Sequence, residues 1–278
     1  MLYLVGTPIG NLADLSPRAL EVLSAVDAVA CEDTRRTGLL LSKFEVKKKL
    51  ISYHEHNRAQ KGPQLISMLE SGQNIALVSD AGMPCISDPG EELVRDCAAK
   101  NLPIQVIPGP VAAISALALS GLDAKRFCFE GFLPSDGRDR KDRLQELTQH
   151  RHTFILYEAP HRLIRTLEDL SSIGLGGRDA AICRELTKKY EEVLRMKVDE
   201  ACVYYKETAP RGEFAIVVSG GEPPETEAPK VLTQADREAR VKELTDAGYS
   251  TKECSQLLAI EWQESRKNIY AFIIKMIK

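Results

Sequence analysis

The chain has 278 residues, 44% hydrophobic and 28% charged, with a formal net charge of −3 and a sequence pI near 6.0. Single cores stop growing at roughly 250–300 residues, so this length predicts two ordinary domains with room for a small appendage. The charge balance lacks the bulk basic signature of a nucleic-acid binder, so any RNA contact must come from local patches. No apolar run approaches the ~20 residues of a membrane span, and Met1 to Val5 reads as a strand rather than a secretory leader. Seven cysteines without a C-x-x-C pair indicate neither a disulfide framework nor a zinc site, and predict reduced thiols in a cytoplasm.

LYLVGTPIGNLADLSPRALEVL opens the chain as an apolar strand, a loop holding Gly6, Pro8 and Gly10, and a helix with Ser16 at its N-cap and Pro17 at its first position. The loop is neither the G-x-G-x-x-G of a dinucleotide site nor a Walker loop, which would end in G-K-[ST]. A second strand, in AVDAVACEDTRR, ends in Glu32 and Asp33 before a helix that begins with Arg35 and Arg36. A third, in KLISYHEHN, ends in His54, Glu55, His56 and Asn57. If that stretch is strand throughout, His54 and His56 share a face, but no third metal ligand is spaced nearby. Asp33 with Arg35 or Arg36 reads equally well as a local ion pair at a helix start.

NIALVSDAGMPCISDPGEELV is the stretch around which the rest arranges itself. A buried parallel strand turns polar at Ser79 and Asp80, as strands do where their carboxyl ends open into a crevice. Gly82, Pro84, Pro89 and Gly90 stiffen the loop, and Asp88 with Glu91 predicts a capping box with Pro89 at the first helical position. PIQVIPGPVAAISALALSG then gives a strand, a P-G-P turn and a small-residue helix ending at Gly121. From RFCFEGF onward a new alternation begins, which places a domain boundary near Leu122. Arg138, Arg140, Lys141 and Arg143 form a basic cluster, either a solvated helix face or a phosphate-contacting lid. HTFILYEAPHR, DAAICRELTKKYEEV and GEFAIVVSG supply three more strands. GEPPETEAPK reads as a linker, and beyond it Thr233 with Asp236 and Ser250 with Glu253 predict capping boxes, with Gly248 ending a helix. The expected organisation is therefore an α/β domain over 1–121, a second over 122–221 and a helical module over 232–278. SRKNIYAF in the last helix suggests a helix-turn-helix, with Arg266 and Lys267 near the start of its recognition helix; a packing or dimer cap fits equally well.

T-P-I-G-N-L-x-D-L, SDAGMPCISDPG, PGP-x-A, YEAPHR, RELTK and GEFAIVV appear in the order of the tetrapyrrole methylase family, and the chain closely resembles the ribosomal RNA branch of that family. Met83 and Val111 stand where related sequences often carry small polar residues. The resemblance implies two α/β domains with S-adenosyl-L-methionine in the cleft between them. It also implies 2′-O-methylation of a cytidine in the decoding region of bacterial 16S ribosomal RNA, free or in the assembled small subunit, by a cytoplasmic homodimer. It places cofactor contacts at Pro8, Ser79, Asp80, Ile86, Val111, Ala112, Tyr157, Leu186 and Gly212. Catalytic candidates are Glu158, Arg162 and Lys188, which otherwise form a structural ion-pair network; substrate candidates are Asp33, Arg35, His54, Arg266 and Lys267. A tetrapyrrole C-methyltransferase and a non-enzymatic nucleic-acid-binding regulator are the competing readings.

Overall fold

A parallel sheet wound on both faces occupies the first part of the chain. The computed structural model describes residues 1–221, 234–246, 249–262 and 264–277. Strands β1 (Leu2–Val5), β2 (Ala28–Cys31), β3 (Lys49–Ser52), β4 (Ile75–Val78) and β5 (Ile104–Ile107) alternate with helices α1 (Pro17–Ala25), α2 (Thr34–Lys43), α3 (Arg58–Glu70) and α4 (Glu91–Ala99). The strand order is β3-β2-β4-β1-β5, all parallel. Because the central strands are buried on both faces, they read as unbroken apolar runs such as IALV. One face packs Leu2, Ile75 and Leu77 against Leu65 and Leu69 of α3 and Leu93 of α4. The other packs Val5, Val29 and Val78 against Ala19 and Leu23 of α1 and Leu41 of α2. Ser16 caps α1 with its hydroxyl as the sequence predicts, accepting from the Ala19 N–H at 3.1 Å.

Helix α5 (Ala112–Ser120) follows β5 in sequence but packs on the second sheet, where Ala113, Ala116 and Leu117 meet Ile155, Ala181, Ala215 and Val217. The run of small residues serves this close helix-on-sheet contact, and the helix ends at Gly121 in the left-handed region. The elements that follow are β6 (Phe127–Phe132), α6 (Gly137–Leu147), β7 (Thr153–Glu158), α7 (Pro160–Leu170), β8 (Asp179–Arg184), β9 (Glu192–Lys197), α8 (Val198–Glu207) and β10 (Phe214–Val218). The second sheet runs β6-β7-β10-β8-β9 and is mixed, with β10 antiparallel to both β7 and β8. Its far face carries α6, α7 and α8 over a core of Phe154, Leu156, Ile182 and Ile216. Strand β9 has no counterpart in the sequence reading. It is an edge strand whose charged ends, Glu192 and Lys197, pair with Arg184 and Asp179 of β8, and that charge hides the pattern.

The C-terminal unit holds three helices, α9 (Gln234–Asp246), α10 (Thr251–Glu261) and α11 (Arg266–Ile277), around Val241, Leu244, Cys254, Leu258, Ile269 and Ile273. The Ser250–Glu253 capping box forms. The expected linker over 221–230, apart from Gly221, the Thr233 cap and the Gly248 terminator lie outside the described residues.

Candidate active site at the carboxyl edge of the first sheet

Three loops leave the carboxyl edge of the first sheet, after β1, β4 and β5, and they are fastened to one another through backbone. Thr7 and Gly82 exchange reciprocal hydrogen bonds, N to O at 2.9 and 3.1 Å, and the Thr7 hydroxyl points at the Ser79 and Gly82 carbonyls. Gly6 and Gly109 pass in direct backbone contact. Several bonds must therefore break together before any one loop moves, which makes the edge a preorganised frame.

Between this frame and the second sheet lies an apolar cavity of about 530 Å³. Ile9, Gly82, Met83 and Ile86 form its first-sheet side, Val111 and Ala112 open the first turn of α5 into it, and Phe132, Tyr157, His161, Leu186 and Lys188 form the opposite wall. The Tyr157 hydroxyl accepts a hydrogen bond from the Ala113 N–H at 2.8 Å, fixing the ring against the helix start. Burial raises the pKa of that phenol, with the Asp88 charge adding to it. Non-glycine residues in the left-handed region concentrate in the two loops that face the cavity: Cys85 and Ser87 on one side, Glu185 and Thr187 on the other. Backbone strain of this kind persists where surrounding structure over-determines it, and it clusters at functional sites. The sides also touch, since the Asn11 N–H donates to the Thr187 hydroxyl at 3.1 Å.

Of the expected cofactor contacts, Ile86, Val111, Ala112, Tyr157 and Leu186 line this cavity. Pro8, Ser79, Asp80 and Gly212 stand outside its lining. Ser79 is buried with its hydroxyl on the Gly82 carbonyl at 3.2 Å. Gly212, at φ +86°, leaves room for Glu185, whose Cγ would stand 2.5 Å from an added Cβ. Both have their contacts within the loops beside the cavity.

The expected catalytic trio is committed to internal partners. Glu158 is buried; its carboxylate accepts from the Thr166 hydroxyl at 2.6 Å and the Ala159 N–H at 2.9 Å and pairs with Arg162 at 3.2 Å. Arg162 also donates to the Leu133 and Pro134 carbonyls. This couple ties the end of β7 and the start of α7 to the loop after β6. Lys188 sits between Glu185 at 2.8 Å and Glu213 at 2.7 Å. Partial burial pulls the ammonium down, but hydrogen bonds to those two carboxylates outweigh it and leave the pKa raised, so Lys188 stays protonated. The carboxylate neighbours are the opposite of what a basic lysine needs.

A second, polar cavity of about 640 Å³ adjoins the first and is lined by Glu32, Asp33, Arg35, His54, Asp80 and Asp88 among others. The structure thus brings three expected substrate residues, Asp33, Arg35 and His54, together with Asp80. Asp33 is the N-cap of α2 and a close partner of Arg35, at 2.8 Å; the Arg35 side chain, by hydrogen bonding, holds its carboxyl well below the usual range. Arg36 pairs with Asp80 at 3.3 Å. His54 and His56 are not on a strand as expected. β3 stops at Ser52, because the Asn57 side chain accepts from the His54 N–H and donates to the Ser52 carbonyl, closing a turn. The two rings meet edge to face at 6.0 Å.

Asp88 is the residue that sequence reasoning missed. The expected capping box does not form: α4 begins at Glu91 with Gly90 at its N-cap, at φ +139° and without a side-chain cap. An added Cβ at Gly90 would stand 2.6 Å from Cys85 Sγ and 2.7 Å from a Leu77 methyl. Only glycine allows the chain to pass so close to β4, and that turn carries Asp88 into the wall of both cavities. Burial, then the charges of Glu32 and Asp80, push the Asp88 carboxyl up to about 6. The local D-x-x-E spacing concealed this.

The basic cluster sits on a helix, with two of its members engaged internally and Arg138 and Lys141 exposed. Its residues lie within α6, and Arg140 is buried on Asp169, Thr166 and the Pro134 carbonyl, while Arg143 pairs with Glu130 and Glu146. Cys128, Glu130 and His150 gather closely enough to suggest a metal site. There Glu130 is already paired with Arg143 and stands 3.0 Å from His150 Nε2, so the donor set is engaged internally. In the C-terminal unit, Lys267 is exposed at the start of α11, and Arg266 reaches the Ser255 hydroxyl at 3.4 Å.

Residues 1–202 match the family described as Tetrapyrrole (Corrin/Porphyrin) Methylases. A protein of Synechocystis sp. named "Ribosomal RNA small subunit methyltransferase I" is 44% identical over 276 residues, which cover 99% of this chain and 98% of that one. A Thermotoga maritima protein of the same name is 44% identical over 221 residues, covering 80% of this chain and 99% of its own length. Among solved structures, uroporphyrin-III C-methyltransferase from Thermus thermophilus complexed with S-adenyl homocysteine superposes with a TM-score of 0.55 at 18% identity, covering 78% of this chain and 96% of that one; this likeness speaks for the fold.

Proposed function

Because this chain belongs to the tetrapyrrole methylase family, we propose that it is an S-adenosyl-L-methionine-dependent methyltransferase of the small ribosomal subunit RNA, and that it acts on the ribose 2′-oxygen of a cytidine in the decoding region of 16S ribosomal RNA. The observation that carries the methyltransferase reading is identity of 44% sustained over 99% of the chain with a relative named "Ribosomal RNA small subunit methyltransferase I", combined with an apolar cavity that opens into a polar one.

The residues present fit the cofactor. A volume of about 530 Å³ lies within the roughly 300–1,000 Å³ range of small-molecule sites. Ile86, Val111, Phe132, Tyr157 and Leu186 offer apolar and aromatic surface to an adenosine, and Val111 and Ala112 bring the start of α5 to the cavity wall. When bound, the cofactor supplies a methyl group activated by a sulfonium for in-line displacement. The rest of the work is positioning, which can contribute roughly 7–11 kcal/mol. Loops tied by Thr7–Gly82 and Gly6–Gly109 hold the walls, and the Glu158–Arg162 and Lys188–Glu185 pairs hold the opposite rim. In the polar cavity, Arg35 and Arg36 suit phosphates, and the carboxylates suit sugar hydroxyls and the cytosine amino group.

The same reading makes the protein a cytoplasmic homodimer. Exposed apolar residues, Val106 on β5 and Ile114 and Leu119 on α5, are surface that a partner copy could cover, and among the described residues no helix is long and apolar enough to cross a membrane. The test is transfer of a radiolabelled methyl group to small subunits, naked 16S RNA and a tetrapyrrole precursor, with the product nucleoside identified by mass spectrometry. A 2′-O-methylcytidine from RNA supports the reading; label in the tetrapyrrole alone replaces it with the carbon-methylating one.

A further inference from the structure

The loop between β8 and β9 serves the apolar cavity with Leu186 and Lys188, which line it. Its next two residues do something else. Tyr190 is 64% exposed, as much as any large apolar side chain among the described residues, and Lys189 Nζ stands over its ring, 5.5 Å from the centroid. We propose that Lys189 and Tyr190 form a stacking site for an unpaired base of the substrate RNA, with the tyrosine ring as platform and the lysine as contact to the adjoining phosphate. This rests on the methyltransferase reading and deepens it by naming where the strand is gripped beside the cavity.

The loop holds the ring outward through bonds on every side. Glu185 and Thr187 keep left-handed backbone, at φ +51° and +65°, the Lys188 N–H donates to the Glu185 carbonyl, and the Glu191 N–H donates to the Lys188 carbonyl. The Glu191 carboxylate accepts from the Thr187 N–H at 2.6 Å, and the Thr187 hydroxyl accepts from the Asn11 N–H of the first-sheet loop. Gly10 passes so close that an added Cβ would stand 2.5 Å from Lys188 Cγ. From the other flank, the Glu213 N–H donates to the Glu185 carboxylate at 3.1 Å. Tyr190 is thus presented by a preorganised turn, so little backbone freedom remains to be lost when a base stacks on it.

The charges select the partner. Lys188 is spent on Glu185 and Glu213, and Glu191 is spent on the Thr187 N–H. Lys189 has no carboxylate partner among the described residues, and neither has Arg211, exposed in the turn before β10. An open aromatic face beside uncompensated cations suits a single strand of RNA, in which every base offers a π-face and every linkage a negative charge. With a formal net charge of −3 over the whole chain, affinity for RNA has to come from local patches of this kind. A base stacked on Tyr190 is drawn from its own neighbours, which splays the strand beside the cavity where the methyl group is transferred.

The experiment measures methyl transfer to small subunits and to naked 16S RNA by the wild-type, Tyr190→Ala, Tyr190→Phe, Lys189→Gln and Val203→Ala proteins, with cofactor affinity by calorimetry and oligomeric state by sedimentation. Loss of one stacked base should raise the KM of Tyr190→Ala for RNA by about 5–100-fold, with kcat falling far less and cofactor affinity within about threefold. Tyr190→Phe keeps the π-face and should restore most of the affinity. Lys189→Gln should reduce the slope of log affinity against log salt by about 0.7, the share of one single-strand phosphate. Val203, 61% exposed on α8, is the control for loss of an exposed apolar side chain, and its variant should match wild type. A Tyr190→Ala KM within about threefold of wild type, a Tyr190→Phe protein as impaired as Tyr190→Ala, or an unchanged salt slope in Lys189→Gln overturns the site. So does a changed oligomeric state in Tyr190→Ala, which would put the ring against a second copy of the chain. A wild-type protein that labels neither small subunits nor their RNA overturns the functional reading itself, whereas the preceding outcomes leave that reading standing.

Discussion

Gly6 and Gly109 stand backbone against backbone: a Cβ added to Gly6 would lie 2.6 Å from Gly109 Cα, and one added to Gly109 would lie 2.8 Å from Gly6 Cα. The loops after β1 and β5 can approach this closely only because neither position carries a side chain. Gly6→Ala should therefore force the loops apart, cost about 1–3 kcal/mol in urea denaturation and weaken S-adenosylmethionine binding. Gly62→Ala is the control, because an added Cβ there meets nothing within 4 Å and the residue sits in α3; it should be neutral or stabilise by up to ~1 kcal/mol. Equal stability losses in the two variants would contradict the role given to the Gly6–Gly109 crossing.

Ala112 begins α5 and lines the apolar cavity. Ala112→Trp should fill the space beside Val111 and lower cofactor affinity at least tenfold by calorimetry, while circular dichroism remains native. Unchanged affinity in a folded protein would move the cofactor away from this helix start.

Glu158→Gln leaves Arg162 without its buried carboxylate while conserving shape. Removing one partner of a buried pair costs ~3–5 kcal/mol, less where the other partner is partly solvated as Arg162 is, so a loss of about 2 kcal/mol is expected. Methyl transfer at saturating substrates should fall less than tenfold. A large rate loss with full stability would return Glu158 to the role of base.

Asp88 also sets a pH dependence of stability. Its folded-state pKa of about 6 lies above the ordinary 3.8, so the folded state holds a proton that the unfolded state has lost between those values. Stability therefore falls as pH rises through that window and stays lower above it. Asp88→Asn should be more stable than wild type at pH 7.5, by the order of 1 kcal/mol after allowance for solvent screening, and the gain should vanish near pH 4. A destabilised variant at pH 7.5 would show that the carboxylate is held favourably in the fold.

Residues 225–278, which hold the three C-terminal helices, form a compact unit distinct from the one that carries both cavities. Deleting residues 225–278 should accordingly preserve the apolar cavity and cofactor affinity, and weaken binding of small subunits through loss of groups such as Lys267. Unchanged subunit affinity in a filter-binding assay would make the helices a structural cap.

Residues 1–221 show where local chemistry suffices. Ser16 before Pro17, Gly121 after the AAISALALS helix and the apolar IALV strand act within one turn or one strand, so composition and spacing alone predict those elements. The family resemblance likewise rests on short motifs, and it places Ile86, Val111, Ala112, Tyr157 and Leu186 on a single cavity without any knowledge of their contacts. What local spacing misreads are residues whose environment comes from far along the chain. Asp88 looks like a helix cap, yet the packing of Gly90 against Cys85 and Leu77 turns it toward Glu32 and Asp80. Glu158 reads either as a catalytic group or as part of an ion-pair network, and only the packing shows Thr166 and Arg162 on its carboxylate. The Asn11–Thr187 bond joins residues 176 apart in sequence, and α5 leaves the sheet that precedes it to pack on the next. Sequence therefore determines which segments form strands, helices and stiff loops, because those preferences are set by nearest neighbours along the chain. Which carboxylates are neutralised and which remain basic is decided only by tertiary structure, because desolvation and charge act through space.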